Sequence, residues 1–150
     1  MNGVRCGEAS VRGAAPGDAI EDVEIEDAMM QLEAALTNAV SPTAMARAHE
    51  AAIALRNLET SLRRRRDLVE HVIDDNRRST HVFNAIERHQ AQLDSLACRA
   101  EALSARTAIS SSLCDVRGAI HRLVADVESM LAEEAHLVLD AYWVDLGVGD

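Results

Sequence analysis

The sequence predicts an all-α protein: an antiparallel four-helix bundle or long helical hairpin with coiled-coil-like packing, preceded by a flexible N-terminal arm. Three observations carry this expectation. From Thr43 to Arg117 there is neither glycine nor proline, so nothing in that run breaks a helix. Apolar residues recur through it at i, i+3, i+4 and i+7, the period of one helix face. Aromatic residues make up 2% of the chain while apolar residues make up 48%. The core is therefore built from Ala, Leu, Val and Ile, which suits helix against helix better than a sheet sandwich.

Residues 1–17 hold four of the seven glycines and one of the two prolines, the composition of a disordered arm. Residues 18–147 read as one helical domain, within the size that supports a single core. The first helix, about 18–39, opens on Asp18-Ala-Ile-Glu21, a capping-box-like start with acids near the positive end of the helix dipole. Its apolar stripe is Ile25, Ala28, Met29, Leu32, Ala35, Leu36 and Ala39. The second, about 42–76, begins at Ser41-Pro42, an N-cap followed by proline at the first helical position. One heptad register runs along it, with Ala48, Leu55, Leu62 and Val69 at one core position and Ala51, Leu58, Arg65 and Val72 at the other. The apolar pattern lapses over residues 74–80 and resumes out of phase, which favours a turn over one unbroken rod.

The third helix, about 80–107, carries Val82, Ile86, His89, Leu93, Leu96, Ala100 and Leu103. The fourth, about 112–146, opens on the capping-box pattern Ser112-Leu-Cys-Asp115. Its stripe is Leu113, Val116, Ile120, Leu123, Val127, Met130, Leu137 and Val144, widened by Val124, Leu131 and Val138. Gly118 inside this helix costs about 1 kcal/mol relative to alanine and reads as the mark of a close helix crossing. Because the second and fourth helices outrun the first, part of their apolar face is expected to project beyond an intramolecular core.

The net charge is −10, with no lysine, and it is uneven: −6 over residues 1–46, +2 over 47–106 and −6 over 107–150. An acidic total argues against non-specific nucleic-acid or anionic-membrane binding. The Arg63–Arg66 run reads as a turn whose guanidinium groups fan around the axis and pair with acids, rather than as a one-sided basic face. Arg65 stands out, because a charge in a heptad core slot specifies register or pairs with an acid across an interface. Three cysteines without CxxC or finger spacing exclude a disulfide framework or zinc finger, and Cys98 and Cys114 read as small buried hydrophobes. No apolar run is long enough for a membrane span and residues 1–18 contain no leader-like apolar stretch. These features predict a cytoplasmic location, or the interior of a host cell for a viral chain.

Catalytic patterns are missing: there is no Gly-x-Ser-x-Gly elbow and no phosphate-cradling loop. A bundle with few loops offers little scaffold for reaction chemistry. The leading expectation is thus a non-catalytic, cofactor-free interaction protein: an assembly, adaptor or chaperone-like module that contacts a protein partner or itself. Arg65, Leu139, Tyr142 and Trp143 are its candidate contact residues, the last three within the apolar run 137–146 that no single core can bury from all sides. The alternative is a carboxylate/histidine metal-binding bundle using His71, Asp75, His89, Glu133 and His136. Glu133-x-x-His136 is one half of the paired motif that ferritin-like bundles use. In addition, His71-x-x-x-Asp75, His89 and the Glu133-Glu134 pair before Leu-Val-Leu resemble the pattern of the hemerythrin-like family over residues 68–142. That resemblance implies an iron-binding bundle with an incomplete site, since Asn76 and Ser129 fall where histidines would be expected.

Overall fold

Four helices in sequence order make the fold: α1 (Asp18–Thr37), α2 (Ala44–Asp75), α3 (Thr80–Ala108) and α4 (Cys114–Asp145). The computed structural model describes residues 18–37, 43–75 and 80–145, with side chains over 24–37, 43–69 and 82–139. Among the described residues there is no strand. The predicted arm at 1–17, and the predicted cap at Ser41 and Pro42, lie outside them.

Each helix packs on its neighbour in sequence, α1 on α2, α2 on α3 and α3 on α4. Side-chain pairs show that every neighbour runs antiparallel. Gln31 and Glu24 of α1 meet Asn57 and Arg64 of α2. Ser104 and Asp94 of α3 meet Ala52 and Arg66 of α2. Asp126 and Glu134 of α4 meet Arg99 and His89 of α3. The lapse in pattern near residue 75 is therefore a reversal of the chain and not a rod: α2 stops at Asp75 and α3 starts at Thr80.

The stripes face one core. Ile25, Leu32, Leu55, Leu58, Leu62, Leu93, Ile120, Leu123, Val127 and Met130 are wholly withdrawn from solvent, each burial contributing about 1.5–3 kcal/mol before chain entropy is counted. Alanines 48, 51, 54, 97 and 100 fill the positions between them. At the heads of two helices, hydroxyls hold otherwise unsatisfied amides. Thr43 Oγ1 accepts from the Ala46 amide at 3.1 Å, so Thr43 caps α2. Ser112 Oγ accepts from the Cys114 amide at 3.2 Å before α4.

Three expectations need correction. Cys98 and Cys114 are exposed free thiols: Cys98 is one step past Ala97, about 100° off the core stripe, and Cys114 is the first residue of its helix. Gly118 marks no crossing, since a Cβ built there would meet no atom within 4 Å; it sits midway between Val116 and Ile120, on the solvent side. Val138 does not widen the α4 stripe but is 59% exposed.

The helices are of unequal length. Glu24 of α1 lies level with Arg64 of α2, and only six residues of α1 precede it, about 9 Å of helix. Beyond the contact between Arg65 and Glu134, α2 has ten further residues and α4 eleven, about 15–17 Å. Val138 and Leu139 stand on this end of α4, an overhang past the Arg65–Glu134 contact, about 6–8 Å beyond Glu134.

Candidate functional site

Two features carry chemical information: a buried charge cluster and the apolar overhang beside it. The cluster draws one residue from each of three helices. Arg65 of α2 and His89 of α3 are only 6% and 5% exposed. Glu134 of α4 joins them. Arg65 Nε donates to Glu134 Oε1 at 2.9 Å, and Arg65 Nη2 donates to the same oxygen. On the other side His89 Nε2 lies 2.8 Å from Glu134 Oε2. A carboxylate only accepts, so His89 Nε2 carries the proton it shares. Burial opposes charge on Glu134, but hydrogen bonds from His89 and Arg65, reinforced by the positive guanidinium, outweigh it and hold the carboxyl below its ordinary range. The group is thus ionised at neutral pH, as a buried arginine requires.

The rest of the arginine run works outward from this point. Arg63 donates to Glu59 one turn back at 2.9 Å and to Glu101 of α3 at 3.1 Å; the Glu59 hydrogen bond raises the basicity of the guanidinium. Arg64 reaches both oxygens of Glu24 on α1 at 3.0 and 3.1 Å. Arg66 reaches Asp94 of α3 at 2.7 Å. Four consecutive arginines therefore touch carboxylates on all four helices, Arg64 toward α1, Arg65 toward α4, and Arg63 and Arg66 toward α3. The arrangement ties the helices together and presents no common basic face.

Glu134 was not among the candidates, yet its position was readable. Leu113, Val116, Ile120, Leu123, Val127, Met130, Glu134 and Leu137 form one unbroken 3–4 alternation, and Glu134 is the charged member of it. The α2 register contains Arg65 in the same sense, and the α3 register contains His89. Each of the three longer helices carries one ionisable residue in a core slot, and the antiparallel packing brings the three together.

The remaining candidates are dispersed. Leu139 is 54% exposed on the overhang. Tyr142 and Trp143 belong to the last turn of α4, and their side chains lie outside the described residues, as do those of His71 and Asp75 near the end of α2. Glu133 and His136 are exposed on α4, and so is Ser129. The carboxylate against His89 is that of Glu134 and not that of Glu133. Among the described residues, no three His, Cys, Asp or Glu side chains gather closely enough to hold a metal ion, and no helix is long and apolar enough to cross a membrane.

Comparison of the chain with protein-family models, curated proteins and solved structures finds no match.

Proposed function

We propose that the chain is a non-catalytic helical interaction protein, an assembly, adaptor or chaperone-like module that works through helix–helix contact. The observation that carries this reading is the overhang of α4, where Val138 and Leu139 are more than half exposed, one turn ahead of Tyr142 and Trp143 in the sequence. Exposed aliphatic residues on a helix whose sequence continues into Tyr and Trp have the composition of an interface anchor. Leu68 on α2, also exposed, lies three residues beyond Arg65 toward the same end of the bundle. The buried cluster supports the reading from the other direction. It fixes α2, α3 and α4 relative to one another, so the overhang projects from a rigid base, and preorganisation limits the entropy lost on binding.

The test is a pull-down with the full chain beside a Val138→Ser/Leu139→Ser variant, together with light scattering on both. A partner or self-association present for the wild-type chain and lost in the variant, with unchanged helical circular dichroism, is the expected result. A compact monomer that captures nothing would overturn the reading. Stoichiometric iron, manganese or zinc in the purified protein would replace it with the carboxylate/histidine metal bundle.

A further inference from the structure

We propose that α1 of one copy docks into the outer groove between α3 and α4 of a second copy, a self-association surface separate from the α4 overhang. The inference rests on the interaction reading above and adds a particular occupant to it. The groove has a volume of about 310 Å³ and is lined by Arg99, Ala102, Leu103, Arg106, Ala119 and Arg122. Its apolar lining is Ala102, Leu103 and Ala119, and the two alanines are small enough to let another backbone approach closely. Its rim is cationic. Arg99 is already held by Asp126 at 2.6 Å. Arg106 and Arg122 are exposed, and among the described residues neither forms an ion pair. They stand on opposite walls, Arg106 on α3 and Arg122 on α4. In a chain of net charge −10, two arginines lining one apolar trough from different helices, with no ion pair among the described residues, call for an acidic occupant.

The outward face of α1 has the complementary pattern. Met30 is 64% exposed and points away from the core formed by Ile25, Ala28, Met29, Leu32 and Ala35. Glu26 and Asp27 lie one turn before it and Glu33 one turn after, all exposed and none in an ion pair among the described residues. A methionine between acids at i−4, i−3 and i+3 presents an apolar knob with carboxylates above and below on one helical face. Methionine is unbranched and adaptable, suited to a shallow trough. Seated there, Met30 meets Ala102, Leu103 and Ala119 while the carboxylates reach Arg106 and Arg122. The two surfaces differ, so the contact either repeats reciprocally in a two-fold pair or, used once per copy, closes into a ring or runs on from copy to copy.

Charge exchange tests this directly, on the full chain, by light scattering over a concentration series. One variant carries Arg106→Glu and Arg122→Glu; the other carries Asp27→Arg and Glu33→Arg. All four positions are exposed, so both variants should keep the wild-type circular dichroism and melting curve, which are recorded first. The wild-type chain is expected to form a species heavier than its 16.3 kDa monomer. Each variant alone should raise the dissociation constant by more than about tenfold, the equivalent of about 1.4 kcal/mol. An equimolar mixture of the two should associate again, because the reversed α1 of one meets the reversed groove of the other. A wild-type chain that stays monomeric throughout would overturn the proposal, as would variants that associate like wild type or a mixture that fails to recover. Loss of association only on changing Val138 and Leu139 would also overturn it, while leaving the interaction reading intact.

Discussion

Replacing Glu134 by leucine should destabilise the bundle by about 3 kcal/mol, at the lower end of the 3–5 kcal/mol that removal of one partner from a buried ion pair costs. The reasoning starts from the geometry. Arg65 and Glu134 lie within hydrogen-bond distance, with side chains 8% and 13% exposed. At an effective dielectric constant near 20, unit charges about 3 Å apart attract by about 5 kcal/mol. Desolvation of each ion costs several kcal/mol, so the intact cluster contributes little net stability. Removing the carboxylate forfeits the attraction while the guanidinium stays buried, and that asymmetry makes the single change expensive. For a chain of this size about 3 kcal/mol corresponds to a fall of about 6–12 °C in Tm. The companion variant Arg65→Met/His89→Leu/Glu134→Leu removes all three polar groups and should return to wild-type stability or exceed it. Urea denaturation followed by circular dichroism at 222 nm measures both, with equal m-values as the check that unfolding stays two-state. The reasoning is refuted if Glu134→Leu unfolds within about 1 kcal/mol of wild type, or if the triple variant is weaker than the single one.

Other outcomes follow from the same structure. Because the folded state holds the Glu134 carboxyl below its ordinary pKa of 4.5, its contribution is present above that value and is lost as pH falls through the lower folded pKa; acid titration of unfolding free energy should therefore be shallower in the triple variant. Gly118→Ala should stabilise α4 by about 1 kcal/mol, since the added Cβ meets open space, and a thermal melt reads it. Thr107 is wholly buried and its Oγ1 has no hydrogen-bond partner; Thr107→Val should be neutral or raise stability by about 1 kcal/mol by removing an unsatisfied hydroxyl, measured by urea denaturation. Leu58→Ala should cost about 2–5 kcal/mol, because Leu58 is completely enclosed, and the same denaturation series measures it.

The fold was legible because its information is periodic and local. Stripes such as Val82, Ile86, His89, Leu93, Leu96, Ala100 and Leu103 need no tertiary knowledge to be assigned to one face, and all seven are buried. Residues off the stripe were harder. Cys98 looked apolar by type, but its angle about the axis puts it in water, and angle prevailed over type. Gly118 shows the converse limit: sequence registers a helix penalty without showing whether a neighbour presses on the position. Partnership was the least legible. Arg65 and His89 were visible as core-slot oddities, whereas Glu134 was passed over because the stripe reads smoothly from Met130 to Leu137 across it. Only packing shows that the three oddities share a layer.

That shared layer explains why charge is tolerated inside so small a core. Along α2, α3 and α4 the heptads would permit a slip of seven residues with every apolar stripe still facing inward. Such a slip carries Arg65 away from Glu134 and opposite aliphatic layers, where its guanidinium has no carboxylate and the loss is that of a broken buried pair. The neighbouring arginines add to the penalty in smaller steps, since Arg64 loses Glu24 and Arg66 loses Asp94. Aliphatic layers are interchangeable and the ionic layer is not, so register is set at the layer nearest the overhang. Displacing α4 by one heptad moves Val138 and Leu139 about 10 Å along the axis, and the contact surface proposed above would move with them.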